Sequence, residues 1–189
     1  MPGEPQEDGD ERLIARIATG DRAAMDALCG RHLRSMYRFA VGLCGGDAAL
    51  AEDAVQEALV AIWRHAGTFG GVHPRAWMLT ITRNALRQQL RRRGAVAEPE
   101  DEGEVSLEAA GFGSPERARS FLGALESRDE LRVALGQLSD GERALVLLVD
   151  GEGASLEEAA AALEITVAAT KSRLHRARLR LMAALTEPS

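Results

Sequence analysis

Two Ser-to-Glu pairs, Ser139 with Glu142 and Ser155 with Glu158, constrain the fold of this chain more than any other feature. Each has capping-box spacing: the serine hydroxyl accepts from one free backbone N–H and the glutamate returns to another. Each pair therefore marks a helix start. The first helix is predicted over about Asp140 to Val149, ending at "DGEGA". The second is predicted over about Leu156 to Leu163, followed by a break at Glu164-Ile165-Thr166. A third runs from about Val167 to Leu185. A short helix, a tight turn and a longer basic helix is the order of a helix-turn-helix.

The rest of the chain is predicted to be helical too. Aromatic residues are only 4%, whereas Ala and Leu abound, which favours helices. Asp21 can cap a helix running through Tyr37 towards Leu43, and "CGGD" at 44–47 breaks it. The next helix runs from about Asp47 to His65. Its wheel places Ala51, Val55, Ala58, Leu59 and Ile62 on one side. Glu52, Asp53, Gln56, Glu57 and Val60 fall on the other. "GTFGGVHP" at 67–74 reads as a loop, and a last helix of this block runs from about Pro74 to Arg93.

Residues 94–126 carry Gly, Pro and acids with no sustained apolar period, the signature of a linker. Ser114-Pro115-Glu116 can start a short helix there. The expected organisation is an acidic tail and start of the first helix over 1–19, a helical block over 20–93, the linker, and a second block over 127–187. The fold class is all-α, with two small helical domains on a flexible acidic tether.

Charge is segregated along this frame. The formal net charge is −6, yet residues 75–93 hold six Arg and no acid, and 165–186 hold five Lys or Arg and no acid. Residues 95–108 reverse this with six acids and no base. A partner feels the local field rather than the sum. Exposed helix faces usually mix signs to gain i,i+4 pairs, so two single-sign helices favour a polyanion over plain solvation. On the last helix Leu174, Ala177, Leu181 and Leu185 form the docking stripe. Lys171, Ser172, His175 and Arg176 point elsewhere, in the half that enters a major groove. On the 74–93 helix Arg83, Arg87 and Arg91 form a ridge flanked by Thr80 and Asn84. Asn84 can read a base or bond a neighbouring carbonyl. Trp77 is better read as core than as a stacking platform. The acidic patch would repel phosphates, and apolar Val60 within it points to a protein contact.

Other classes find little support. No apolar run approaches a membrane span. The acidic N-terminus (Glu4, Glu7, Asp8, Asp10, Glu11) is the opposite of a signal peptide, which places the protein in the cytoplasm. Cys29 and Cys44 are too few for a disulfide framework and read as buried core thiols. Cys29 and His32 have no second pair to complete a metal set. His32, His65, His73 and His175 gather no nucleophile. No catalytic residue, metal or cofactor is expected.

Three segments in this order, "AEDAVQEALVAIWRH" at 51–65, "RAWMLTITRNALRQQLRRR" at 75–93 and "TKSRLHRARLRL" at 170–181, resemble the extracytoplasmic-function (ECF) group of bacterial RNA polymerase sigma factors. The resemblance covers about 20–93 and 127–185. It implies a sigma-two domain docking on the clamp helices of the polymerase β′ subunit, with Asp53, Gln56, Glu57 and Val60 contributing. It implies that Thr80, Arg83, Asn84, Arg87, Arg91 and the loop 68–73 recognise and open the minus-ten promoter element. A sigma-four domain would read the minus-thirty-five element with Lys171, Ser172, His175 and Arg176, and touch the β-subunit flap. Many members are held inactive by an anti-sigma factor.

The chain departs from the family pattern at four places. Gln88 stands for the usual Asp, Glu164 and Ala168 for usual Gly, and Thr166 for a common Pro. A left-handed residue at 164 costs more for Glu than for Gly, so a turn of different geometry is expected there. Thr166 can cap the last helix. Two other readings stay open: a helix-turn-helix regulator acting without core polymerase, and a sigma-like decoy for an anti-sigma factor. The first has no use for the Asp53/Gln56/Glu57 face. The second has no use for the intact Arg ridge and the Lys171–Arg180 run.

Overall fold

The computed structural model of the chain describes residues 8–70, 72–94 and 128–186. Among these residues there are eight α-helices and no strand. They are α1 (Asp10–Ala18), α2 (Arg22–Leu43), α3 (Ala48–His65), α4 (Pro74–Arg92), α5 (Arg128–Gly136), α6 (Asp140–Val146), α7 (Leu156–Leu163) and α8 (Val167–Thr186). The short helix expected at Ser114-Pro115-Glu116 lies outside the described residues.

The predicted caps operate as hydrogen bonds. Asp21 accepts from the Ala24 N–H at 3.2 Å; Asp47, read only as part of the break before α3, caps that helix too, accepting from the Leu50 N–H at 2.9 Å. Both Ser–Glu capping boxes are complete. α2 stops at Cys44, and Gly45 and Gly46 take positive φ to turn the chain into α3. The helix predicted over Asp140 to Val149 is shorter than expected: α6 ends at Val146 and continues as one π turn over Leu147–Gly151.

Residues 10–18, expected to belong to a tail and the start of the first helix, form a separate helix. Leu13, Ile14 and Ile17 are spaced along one face of α1 and fully buried, contributing roughly 1.5–3 kcal/mol each. The α1–α2 corner is tied by Arg16, whose guanidinium reaches Asp8 at 2.6 Å and Asp21 at 2.7 Å. That pairing first, and the capping N–H of Ala24 second, hold the Asp21 carboxyl below its ordinary 3.8.

α3 packs on α4 and α2 through the face read from the wheel, with Ala54 also buried and Leu59 half-buried. In the second block Leu174, Ala177 and Leu181 of α8 pack on α6 and α7, with Leu185 half-buried. The two blocks also lie against each other, α2 on α6 and the π turn, and α4 on α7. Gly42 allows the closest approach: a Cβ there would sit 2.8 Å from both methyls of Leu147. Arg143 spans the junction, donating to the carbonyls of Leu43, Leu135 and Leu138 at 2.8–3.1 Å.

The turn between α7 and α8 does not take a different geometry. Glu164 is left-handed, at φ 57° and ψ 37°, and the last α7 carbonyls are satisfied through it. Thr166 caps α8 as expected, accepting from the Ala169 N–H at 3.1 Å. The turn is thus kept at a conformational cost of about 1 kcal/mol.

Glu164→Gly is expected to stabilise the protein by about 1 kcal/mol in urea denaturation. Asp21 contributes stability above its unfolded value that is lost as pH falls through its lower folded value. Asp21→Asn keeps the cap but removes this titration, so its stability is expected to fall less steeply than wild type below about pH 4.

Candidate interfaces on the helices

A groove of about 770 Å³ runs between α3 and α4, and Gln56, Glu57, Val60, Asn84, Gln88 and Arg91 are among its walls. A smaller one of about 360 Å³ adjoins it, bounded by Asp53, Gln56, Glu57, Gln89, Arg92 and Arg93. The patch predicted for a protein partner and part of the ridge predicted for DNA therefore share one surface. Asp53, Gln56 and Val60 are exposed, with Val60 at 49% the apolar spot among them. Glu57 is half-buried and pairs with Arg92 at 2.8 Å. Arg93 lies 3.6 Å from Asp53 and 3.7 Å from Asp47. These pairs are exposed and each is worth under about 1 kcal/mol, so a partner can displace them at little cost.

The predicted minus-ten set divides in two. Asn84 and Arg91 are exposed on the groove. Thr80, Arg83 and Arg87 turn instead towards the second block. Arg83 is buried and its Nη2 lies 3.3 Å from Asp140, with Arg87 Nε 3.9 Å from the same carboxylate. The Thr80 hydroxyl lies 3.0 Å from the Ala162 carbonyl and 2.8 Å from that of Ala76. The helical spacing of the ridge is as read, but α4 twists it across two environments.

The loop before α4 is anchored by Phe69, whose ring meets Trp77 at 5.2 Å between centroids and 53° between planes. Trp77 is half-buried against the core, as expected of it. Val72 stands 67% exposed, and His73 is left-handed at φ 58° immediately before Pro74.

On α8, Lys171 is exposed, and Ser172, His175 and Arg176 are half-buried along the face away from the apolar stripe. Two other basic residues of this helix have structural partners. Arg178 forms a fork on Asp150, 2.6 and 3.1 Å, whose side chain is 1% exposed. Arg180 donates to both oxygens of Glu142 at 2.7 and 2.9 Å. These anchors fix the roll of α8. Sequence reasoning counted them in a uniform basic run because their acids lie on α6 and the π turn.

The cysteines are half-buried rather than fully buried core thiols. Burial, with Asp26 near Cys29 and Asp47 near Cys44 as second causes, pushes both thiols up. Such thiols are poor nucleophiles at neutral pH. His32 Nε2 lies 2.6 Å from an Asp10 carboxylate oxygen. No helix among the described residues is long and apolar enough to cross a membrane.

The α3–α4 surface and the α6–α8 unit each correspond to a known family model. Residues 28–96 match Sigma-70 region 2, and residues 128–181 match Sigma-70, region 4. Among similar proteins, the ECF RNA polymerase sigma factor SigE of Mycolicibacterium smegmatis is 38% identical over 87% of this chain. The chain spans only 63% of the length of that relative. The RNA polymerase sigma factor CnrH of Cupriavidus metallidurans is 34% identical over 97% of both chains. A solved structure of CnrH in complex with the cytosolic domain of CnrY covers 96% of this chain and all of that one, with TM-score 0.69 at 30% identity. The sigma factor RpoE in complex with the anti-sigma factor NepR from Bartonella quintana covers 87% of this chain and 98% of that one, with TM-score 0.64 at 29% identity. Two sigma regions in their proper order, carried on a fold shared along nearly the whole chain, place this protein among the ECF RNA polymerase sigma factors.

Proposed function

We propose that this sigma factor divides its work among three surfaces. Asp53, Gln56, Glu57 and Val60 on α3 dock the β′ clamp helices of core polymerase. Asn84, Arg91 and the 68–73 loop, joined by Thr80, Arg83 and Arg87 when the two blocks separate, hold the opened minus-ten element. Lys171, Ser172, His175 and Arg176 on α8 read the minus-thirty-five element, and the region 4 half also meets the β flap. The observation that carries this reading is the segregation of exposed groups. The acidic, Val60-centred patch and the Lys171 face lie on different helices of different halves.

The chemistry is that of binding. Lys and Arg neutralise backbone phosphates, and Arg bonds guanine edges bidentately. Opening of the duplex is driven by binding to the unstacked strand, which offsets lost base stacking. No covalent step is assigned to this chain, and its place of action is the cytoplasm, with polymerase. An anti-sigma factor is a further expected partner, in line with the complex of the similar RpoE with NepR. The sigma reading is preferred to a polymerase-independent regulator because the region 2 match spans residues 28–96, a surface that such a regulator would not use.

The test is a pair of variants assayed with purified core polymerase. Arg176→Ala is expected to weaken minus-thirty-five recognition about tenfold or more, with core binding unchanged. Asp53→Ala combined with Gln56→Ala is expected to weaken core binding and leave the intrinsic DNA affinity of α8 unchanged. Equal loss of both activities in both variants would refute the division of labour.

A further inference from the structure

We propose that the chain latches itself shut, with Glu152 of the region 4 half as the bolt and Ser35, Arg38 and Arg75 of the region 2 half as its seat. In that closed state Arg83 and Arg87 are withheld from nucleic acid. The second clause rests on the minus-ten reading above; the first does not.

Glu152 follows the π turn, far in sequence from its partners. Its side chain is only 4% exposed. Arg75 Nη2 donates to Oε2 at 2.7 Å. Arg38 grips the carboxylate from the other side, with Nη2 at 2.9 and 3.0 Å from its two oxygens and Nε at 3.1 Å from Oε1. The Ser35 hydroxyl also donates to Oε2, and Arg75 bonds that hydroxyl at 3.3 Å. The lone pairs of this carboxylate are answered by two cations and a hydroxyl, all from the opposite half. Within its own half a residue in such a turn would be solvated.

A second acid of the same half repeats the arrangement. Asp140, in the first turn of α6, faces Arg83 and Arg87. Arg83 keeps only 7% of its side chain exposed, and Thr80 beside it lies against the Ala162 carbonyl. A phosphate cannot reach Arg83 while Asp140 and α7 cover it. The carboxylates of region 4 occupy positions that the backbone of an opened strand would contest.

The contacts are of a kind that can open. Desolvating an ion pair costs nearly as much as the pairing returns, so separated halves with hydrated charges lie close in free energy to the closed ones. Polar junctions between halves of a chain behave like transient interfaces. The steric fit at Gly42 and Leu147 supplies a part that does not involve charge.

Two kinds of full-length variant test this. Glu152→Gln with Asp140→Asn removes the acids. Gly42→Leu keeps every charge and places a good helix former in α2, but wedges Leu147 away. Circular dichroism checks that both retain helix. Small-angle scattering of the free proteins reads closure, a compact body of this length having a radius of gyration of about 16 Å. Titration with a fluorescent mixed-sequence single-stranded oligonucleotide reads access to Arg83 and Arg87. Both variants are expected to expand relative to wild type and to bind the oligonucleotide at least about fivefold more tightly. Variants as compact as wild type, a wild type already as expanded as the variants, or expansion with no gain in affinity would each overturn the proposal. Core polymerase binding is measured on the same samples. If neither wild type nor the opened variants bind core while the variants expand and gain affinity, the latch stands and the polymerase role falls.

Discussion

The roll of the last helix about its own axis depends on two buried carboxylates. Asp150 and Glu142 are almost wholly removed from solvent and held by Arg178 and Arg180. A charge in that environment is tolerated only when its hydrogen bonds are met. The forked geometry of guanidinium on carboxylate allows few orientations. α8 therefore cannot rotate without stranding a charge. The apolar stripe of Leu174, Ala177 and Leu181 sets which side faces inward, and the two ion pairs sharpen that choice. Lys171, Ser172, His175 and Arg176 are aimed as a consequence, since they share the same rigid rod.

Backbone strain is placed at the two junctions where nucleic acid is expected. Among the described non-glycine residues, only His73 and Glu164 have positive φ. One starts α4 after the 68–73 loop, and the other joins α7 to α8. Each costs on the order of 1 kcal/mol, and each is held by what surrounds it. Pro74 fixes the entry to α4, Phe69 against Trp77 braces the loop, and the Ser155–Glu158 box with the Thr166 cap brackets α7. The tight turn at Glu164 lets the short α7 and the long α8 meet at a fixed angle.

Local signals made much of this legible in the sequence. Asp21, Ser139 and Ser155 all cap the helices they were expected to cap, because capping acts over three residues. Helical periodicity gave the buried face of α3 and the stripe of α8 for the same reason. The π turn escaped, since "LLVDG" reads as one more turn of an apolar helix. α1 escaped because its three apolar residues are surrounded by charge in a short segment. The split of the Arg83–Arg87–Arg91 ridge escaped because it depends on Asp140, 57 residues from Arg83. No spacing rule reports a partner at that distance.

Charge segregation along a chain and charge exposure on a surface are thus different quantities. Residues 165–186 contain no acid, yet Arg178 and Arg180 are neutralised by acids brought in by folding. Residues 75–93 contain no acid either, and there Arg83 and Arg92 meet acids from α6 and α3. What remains open to an outside polyanion is a subset chosen by tertiary structure. Burial divides the arginines further. Arg178 is largely desolvated and holds its acid tightly, whereas Arg92 and Arg93 stay half-exposed and exchange partners at small cost. The same residue type serves as anchor or as contact according to how much water it keeps, and a sigma factor that must change partners needs both kinds.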